Sequence, residues 1–169
     1  MKLNRNHIFI VLSIAVLSAL LLGKTRVSYR GLERIKKFES FSAIPYKDAA
    51  GKWTIGYGHL ITEKDNFPPN IKITREQGNK LFLRDISIVD NCIKRNVSVQ
   101  LSTNEYDAIA SLIFNIGCGA FTRSTLLKWL NHNDRIKAAN EFPRWIYAGG
   151  RQNAGLMKRR LQEKEIFMA

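Results

Sequence analysis

The chain has 169 residues, of which 45% are hydrophobic and 24% charged, so it fits one globular domain with a short appendage, and this composition excludes a disordered chain. The formal net charge is +13, and the first 30 residues contain bases but no acid. A basic protein attracts polyanions, which leaves nucleic acid, anionic lipid and the acidic bacterial wall as candidate partners. The sequence shows no basic helix or nucleic-acid-binding motif, so we expect no nucleic-acid partner.

A hydrophobic segment lies at the N-terminus. Residues 8–22 carry no charge and follow Lys2 and Arg5, which is the layout of an export signal, but no small-residue cleavage site follows the run. As a helix it would reach about 22 Å, against about 30 Å of bilayer hydrocarbon. We therefore expect residues 1–26 to form an exported, uncleaved and weakly held membrane anchor, and residues 27–169 to form the folded domain. A cleaved signal peptide and a buried core helix are the alternatives.

The first predicted elements of the folded domain are a short helix and a small sheet. Leu32, Ile35 and Phe38 recur at near-helical spacing within residues 28–39. Beyond them, strand-forming residues surround a turn at residues 48–51, which predicts antiparallel strands. The strand formers are Tyr46, Trp53, Ile55 and Tyr57.

The rest of the chain has helical periodicity. Thr74 with Gln77 and Ser102 with Glu105 match the capping box that opens a helix, and Gly117 is placed to end the second of these helices. Three shorter helical patterns follow, at residues 124–131, at residues 134–142 and from Gly155 to the end. The predicted fold is α+β, with a small antiparallel sheet near the N-terminus followed by a mostly helical lobe.

The two cysteines match neither a disulfide framework nor a metal site. Cys92 lies in an apolar helical pattern, where a buried thiol behaves as a small hydrophobe. We expect Cys92 and Cys118 to be free thiols, with a disulfide in an oxidising compartment as the alternative.

Three residues form a candidate catalytic group: Glu39 at the end of the first helix, Asp48 in the turn and Thr54 on the next strand. Cleavage of a glycosidic bond needs an acid to protonate the departing oxygen and a second group to deliver water or to stabilise charge at the sugar carbon. Taken alone, these residue types favour a simpler interpretation, a surface glutamate and a turn aspartate.

The surrounding sequence favours the catalytic interpretation, because it resembles the phage-type lysozymes of glycoside hydrolase family 24, particularly the endolysins of lambdoid phages. The family pattern is Glu, eight residues, Asp, five residues, Thr, and then Gly-x-Gly-His, and residues 39–59 keep each interval. Residues 114–127 and 144–160 are similar to two later family blocks, in the same order. The resemblance extends from about residue 30 to the end of the chain.

The resemblance implies a lysozyme-like fold and hydrolysis of the β-1,4 bond between N-acetylmuramic acid and N-acetylglucosamine in bacterial peptidoglycan, which lyses the host cell. Glu39 would be the proton donor, while Asp48 and Thr54 would hold or activate the attacking water. Inversion at the sugar carbon would need the carboxylates on the order of 6.5–9.5 Å apart. A lytic transglycosylase and a non-catalytic, membrane-tethered wall-binding protein are the alternatives.

The resemblance also implies roles outside the catalytic group. His59 would pair with Asp85 on the following long helix and so join the sheet to that helix. Asn115, Arg151 and Arg160 are candidate sugar or peptide contacts, with ordinary exposed polar residues as the alternative. We expect a monomer with neither cofactor nor metal.

Some lambdoid endolysins carry a signal-arrest-release segment, which is exported uncleaved and later leaves the membrane. The resemblance therefore predicts an inactive form tethered to the inner membrane through residues 8–22, and an active form released into the periplasm. A redox lock based on a cysteine within this segment is not expected, because no cysteine precedes Cys92.

Overall fold

The computed structural model describes residues 25–48, 51–68 and 70–169. The predicted anchor, residues 1–26, lies outside this described part except for its last two residues. Among the described residues, no helix is both long and apolar enough to cross a membrane.

The N-terminal part of the described chain contains one helix and a three-stranded antiparallel sheet in the order β1-β2-β3. The elements are α1 (Tyr29–Glu39), β1 (Ser42–Lys47), β2 (Trp53–Gly56), β3 (His59–Leu60) and a 3-10 turn (Glu63–Asp65). The predicted helix and sheet are thus confirmed. Tyr57 is an exception: it lies in the turn between β2 and β3, because Gly56 and Gly58 adopt positive φ on either side of it.

The remainder is mostly helical, as predicted. The elements are α2 (Arg75–Asn96), α3 (Thr103–Ile116), α4 (Cys118–Thr122), α5 (Thr125–Asn131), α6 (Arg135–Asn140), a 3-10 turn (Phe142–Arg144), β4 (Tyr147–Ala148), β5 (Arg151–Gln152) and α7 (Ala154–Met168). Both capping boxes are present, at Thr74 before α2 and at Ser102 before α3. The β4–β5 hairpin was not predicted.

Helix α3 forms the centre of the helical lobe. Every residue from Tyr106 to Ile113 is buried, and the helix packs against α1, α2 and α7. Burial of each large apolar side chain in such a core stabilises the fold by about 1.5–3 kcal/mol. Because α1 and α7 both pack on α3, the carboxyl end of α1 is fixed relative to α7.

The prediction of two free thiols is wrong. Cys92 on α2 and Cys118 at the start of α4 form a disulfide, with their Cα atoms 5.9 Å apart. The sequence could not supply this distance, because it depends on how α2 packs beside the end of α3.

Candidate active site

Glu39 is the last residue of α1 and lies at the wall of a cleft. Ser40 follows with φ 59°, which ends the helix and turns the chain toward β1. The Glu39 side chain is 18% exposed, and its Oε1 accepts a 2.6 Å hydrogen bond from Nη1 of Arg159 on α7. The carboxylate is therefore fixed in position while part of it remains open to the cleft.

Gly58 provides the space that the Glu39 carboxylate occupies. A Cβ atom at position 58 would lie 3.2 Å from Glu39 Oε2, and the φ of Gly58 is +80°, which L side chains rarely adopt. The second glycine of the Gly-x-Gly-His element thus lets the β2–β3 turn approach the acid closely.

Asp48 and Thr54 are joined through the backbone of one residue between them. Asp48 Oδ1 accepts a 2.8 Å hydrogen bond from the Lys52 N–H, and Thr54 Oγ1 donates a 3.2 Å bond to the Lys52 carbonyl. Thr54 is buried on β2, whereas Asp48 stands at the end of β1. Both residues line the same cleft as Glu39.

Tyr46 is a further residue of the cleft, and the charges of both carboxylates act on it. It is directly opposite Thr54 in the β1–β2 register and lines the cleft. Burial raises the pKa of the Tyr46 phenol, and the negative charges of Glu39 and Asp48 raise it further. Both acids therefore act on one phenol, which the sequence motif contains but which was not singled out as a site residue.

The cleft lies between the sheet and the helical lobe and has a volume of about 2120 Å³. Of the three predicted substrate contacts, Asn115 is exposed in the last turn of α3 and lines the cleft. Arg151 is exposed on β5, where it pairs with Ala148 of the cleft wall.

Arg160 does not fit its predicted role as a surface contact. Its side chain is fully buried and forms an ion pair with Glu163, at 2.8 Å between Nε and Oε2. The preceding arginine, Arg159, contacts Glu39 instead. Arg160 is therefore not an exposed contact, and Arg159 is the arginine of this pair that lines the cleft.

His59 and Asp85 lie together, with His59 Nδ1 2.8 Å from Asp85 Oδ2. On the other side of the ring, His59 Nε2 lies 2.8 Å from Arg84 Nη2 and 3.3 Å from Asp65 Oδ1. Burial lowers the pKa of His59, but the hydrogen bonds and charges of Asp85 and Asp65 outweigh it, so the pKa is raised. This group connects β3, the 3-10 turn and α2 at one end of the cleft.

Comparison with known proteins gives one consistent result. The family model for phage lysozyme matches residues 36–163. An endolysin from Acyrthosiphon pisum secondary endosymbiont phage 1 is 42% identical over 145 residues, which cover 83% of this chain and 97% of the relative. A SAR-endolysin from Enterobacteria phage P21 is 38% identical over 130 residues, 77% of each chain. The crystal structure of a P22 lysozyme mutant matches with a TM-score of 0.70 and 34% identity, covering 85% of this chain and 98% of that one.

Proposed function

The chain belongs to the phage lysozyme family, and we propose from this membership that it is an endolysin that hydrolyses bacterial peptidoglycan. The bond cleaved is the β-1,4 link between N-acetylmuramic acid and N-acetylglucosamine. The observation that carries the proposal is the placement of Glu39, held by Arg159, in one cleft with Asp48 and Thr54.

In the proposed mechanism, Glu39 protonates the glycosidic oxygen as the bond to the sugar carbon breaks. Asp48 and Thr54 orient a water molecule that attacks the same carbon from the opposite face, so the configuration inverts. The link of both residues to the Lys52 backbone supports this role, because it fixes their separation. Asn115 and Arg151 would contact the sugars or the peptide stems beside them.

The decisive experiment replaces the carboxylic acid of Glu39 by an amide. The full chain, solubilised in detergent, is expected to clear purified peptidoglycan and release reducing ends in the α configuration, read by NMR early in the reaction. Glu39→Gln is expected to lose at least about a hundredfold in rate, the lower range for a missing general acid.

Glu33→Gln is the matched control, because Glu33 lies on the same helix, is 47% exposed and forms an ion pair with Lys36. It should keep the parent rate. Anhydro-sugar products would replace the proposal with a lytic transglycosylase, while binding to the wall without cleavage would leave a non-catalytic wall-binding protein.

The proposal includes export through the N-terminal segment. SAR-endolysins among the relatives support it, as does the Cys92–Cys118 disulfide, because disulfides persist in oxidising compartments. The protein is proposed to act as a monomer, first tethered to the inner membrane through residues 8–22 in an inactive form. Release of residues 1–26 into the periplasm then lets α1 and the cleft assemble, and the enzyme becomes active.

A further inference from the structure

Behind Glu39, three charged side chains of α7 are buried together. Glu163 is fully buried, and its Oε1 accepts hydrogen bonds from Arg159 Nε at 3.0 Å, from Arg160 Nη2 at 3.0 Å and from Ser111 Oγ at 2.6 Å. Arg160 Nε lies 2.8 Å from the other oxygen of Glu163. Each of these partners is a donor, an arrangement that suits an ionised carboxylate.

The Arg159 guanidinium is held on each of its nitrogens. Nη1 donates to Glu39, Nε to Glu163 and Nη2 to the Ser111 carbonyl at 3.0 Å. The ring of Phe38 covers one face of the guanidinium, 4.7 Å from its Cζ. A planar, forked cation fixed in this way has little freedom to rotate. The position of Glu163 therefore helps to determine where Nη1 of Arg159 meets the Glu39 carboxylate.

The charges of this group balance only when both acids are counted. Arg159 and Arg160 contribute two positive charges, and Glu163 and Glu39 contribute two negative charges. Burial lowers the pKa of Arg160 to about 10, so it stays protonated at neutral pH, while burial raises the pKa of Glu163. Loss of the Glu163 charge would leave the two buried arginines with Glu39 as the remaining counter-ion within this group.

We propose that Glu163 is a positioning residue for the reaction: it orients Arg159 against Glu39 and offsets one of the two buried arginine charges, so that Glu39 does not have to balance both of them. This role rests on the proposed function, because it requires Glu39 to be the acid. Tyr46 and Asp48 on the sheet side line the same cleft as Glu39, as do Arg34 and Lys37 on α1 and Lys158 on α7. None of them belongs to the buried group of Arg159, Arg160 and Glu163.

The test compares two changes at position 163 that both disturb packing but differ in charge. Glu163→Gln removes the charge, whereas Glu163→Asp keeps it on a shorter side chain. For Glu163→Gln we expect kcat on peptidoglycan to fall about tenfold with KM changed by less than about twofold. We also expect the alkaline side of its pH–rate profile to move to lower pH by about one unit, because an unbalanced buried cation favours the deprotonated form of Glu39.

Glu163→Asp is expected to keep the parent pH profile even if it is less stable. A purely structural role would give both variants the same profile, and that result would overturn the proposal, as would an unchanged kcat in Glu163→Gln. Glu76→Gln, a surface change in an exposed pair with Lys80, serves as the charge control and should match the parent.

A milder variant covers the case in which Glu163→Gln does not fold, since the buried Arg160 loses its hydrogen bond from Nη2 to the Glu163 carboxylate in that variant. Ser111→Ala removes the hydroxyl that donates to Glu163 Oε1 and leaves every charge in place. It should lower kcat about threefold at constant KM, and an unchanged kcat would contradict the proposal. Glu39→Gln is measured alongside: if it retains activity, the proposed function itself fails, whereas if it alone loses activity, only the role of Glu163 fails.

Discussion

At the scale of single residues, the proposed site depends on pairs that are far apart in the sequence. Glu39 and Arg159 are separated by 120 positions and share a 2.6 Å hydrogen bond. His59 and Asp85 are separated by 26 and hold β3 on α2. In both pairs, removal of one partner leaves a largely buried polar group without its bond, so such substitutions should cost more than changes at exposed pairs.

The His59–Asp85 pair predicts a particular pH dependence of stability. Because the pKa of His59 is raised in the folded protein, its added stability is fully present below its unfolded pKa of about 6.5 and is lost as the pH rises through the folded value. Asp85→Asn should therefore lower the free energy of unfolding by about 1.5–3 kcal/mol at pH 5.5 and by clearly less at pH 9. Urea unfolding of both proteins at the two pH values measures the difference.

The same measurement on Glu76→Gln controls for surface charge, since its pair with Lys80 is exposed and should contribute little at either pH. A cost of Asp85→Asn that is equal at pH 5.5 and pH 9 would show that the charge of His59 makes no contribution.

Only part of the site could be predicted from sequence. Glu39, Asp48, Thr54 and His59 lie within 21 consecutive residues, so their intervals are visible in a motif. Arg159 was missed in favour of Arg160 because neighbouring residues on a helix point about 100° apart, and two consecutive bases do not reveal which one faces the cleft.

At the scale of elements, the position of Glu39 depends on how α1 is anchored at its other end. Asp107 on α3 is buried and accepts hydrogen bonds from the Ser28 N–H at 2.8 Å and from the Ser28 hydroxyl. The same hydroxyl caps α1 by accepting the Gly31 N–H at 3.1 Å. A Cβ at Gly31 would lie 2.5 Å from the Asp107 carboxylate, so a larger residue at position 31 would displace this side chain.

Loss of the Ser28–Asp107 hydrogen bonds should make the N-terminal end of α1 less stable. Asp107→Ala removes the acceptor of both Ser28 bonds and is expected to lower the free energy of unfolding by about 1–3 kcal/mol. Hydrogen exchange of the α1 amides should become faster, and hydrolysis slower, because Glu39 ends this helix.

Asp134→Ala is the matched control, since Asp134 caps α6 by accepting the Lys137 N–H at 2.9 Å. It should cost about 1 kcal/mol and leave exchange in α1 unchanged. If Asp107→Ala speeds hydrogen exchange in α1 no more than this control does, the Ser28–Asp107 bonds do not hold the helix in place.

The elements that were predicted are those with local signals. The capping boxes of α2 and α3 lie within four consecutive residues each, whereas the strands of the β4–β5 hairpin have two residues and no periodicity to detect. Helix α7 departs from the usual pattern: Met157, Leu161 and Met168 are exposed, while Arg159, Arg160 and Glu163 are buried on the same helix as Phe167. Apolar spacing alone therefore does not reveal that three charged residues of this helix are buried.

At the scale of the whole molecule, the first described residues lie close in sequence to the hydrophobic run at residues 8–22. Val27 is 3% exposed and Ser28 is bonded to Asp107. Residues 23–27 separate the hydrophobic run at residues 8–22 from Ser28, and five extended residues reach about 17 Å. If a chain were held in a bilayer through residues 8–22 while α1 stayed packed on α3, its cleft would remain close to the lipid. The enzyme could then reach only a small part of the cell wall.

The tethered form is therefore expected to hydrolyse peptidoglycan more slowly than the released form. The full chain is reconstituted into phospholipid vesicles, and its rate on wall fragments is compared with that of the same preparation after release by detergent. Equal rates would contradict an inactive tethered state. Insertion of about 15 Gly/Ser residues after Lys24 adds an average reach of roughly 20 Å and separates two causes. If distance from the wall limits the tethered enzyme, the insertion restores the rate without release; if assembly of α1 and the cleft limits it, only release does, because a longer linker leaves residues 1–24 in the bilayer.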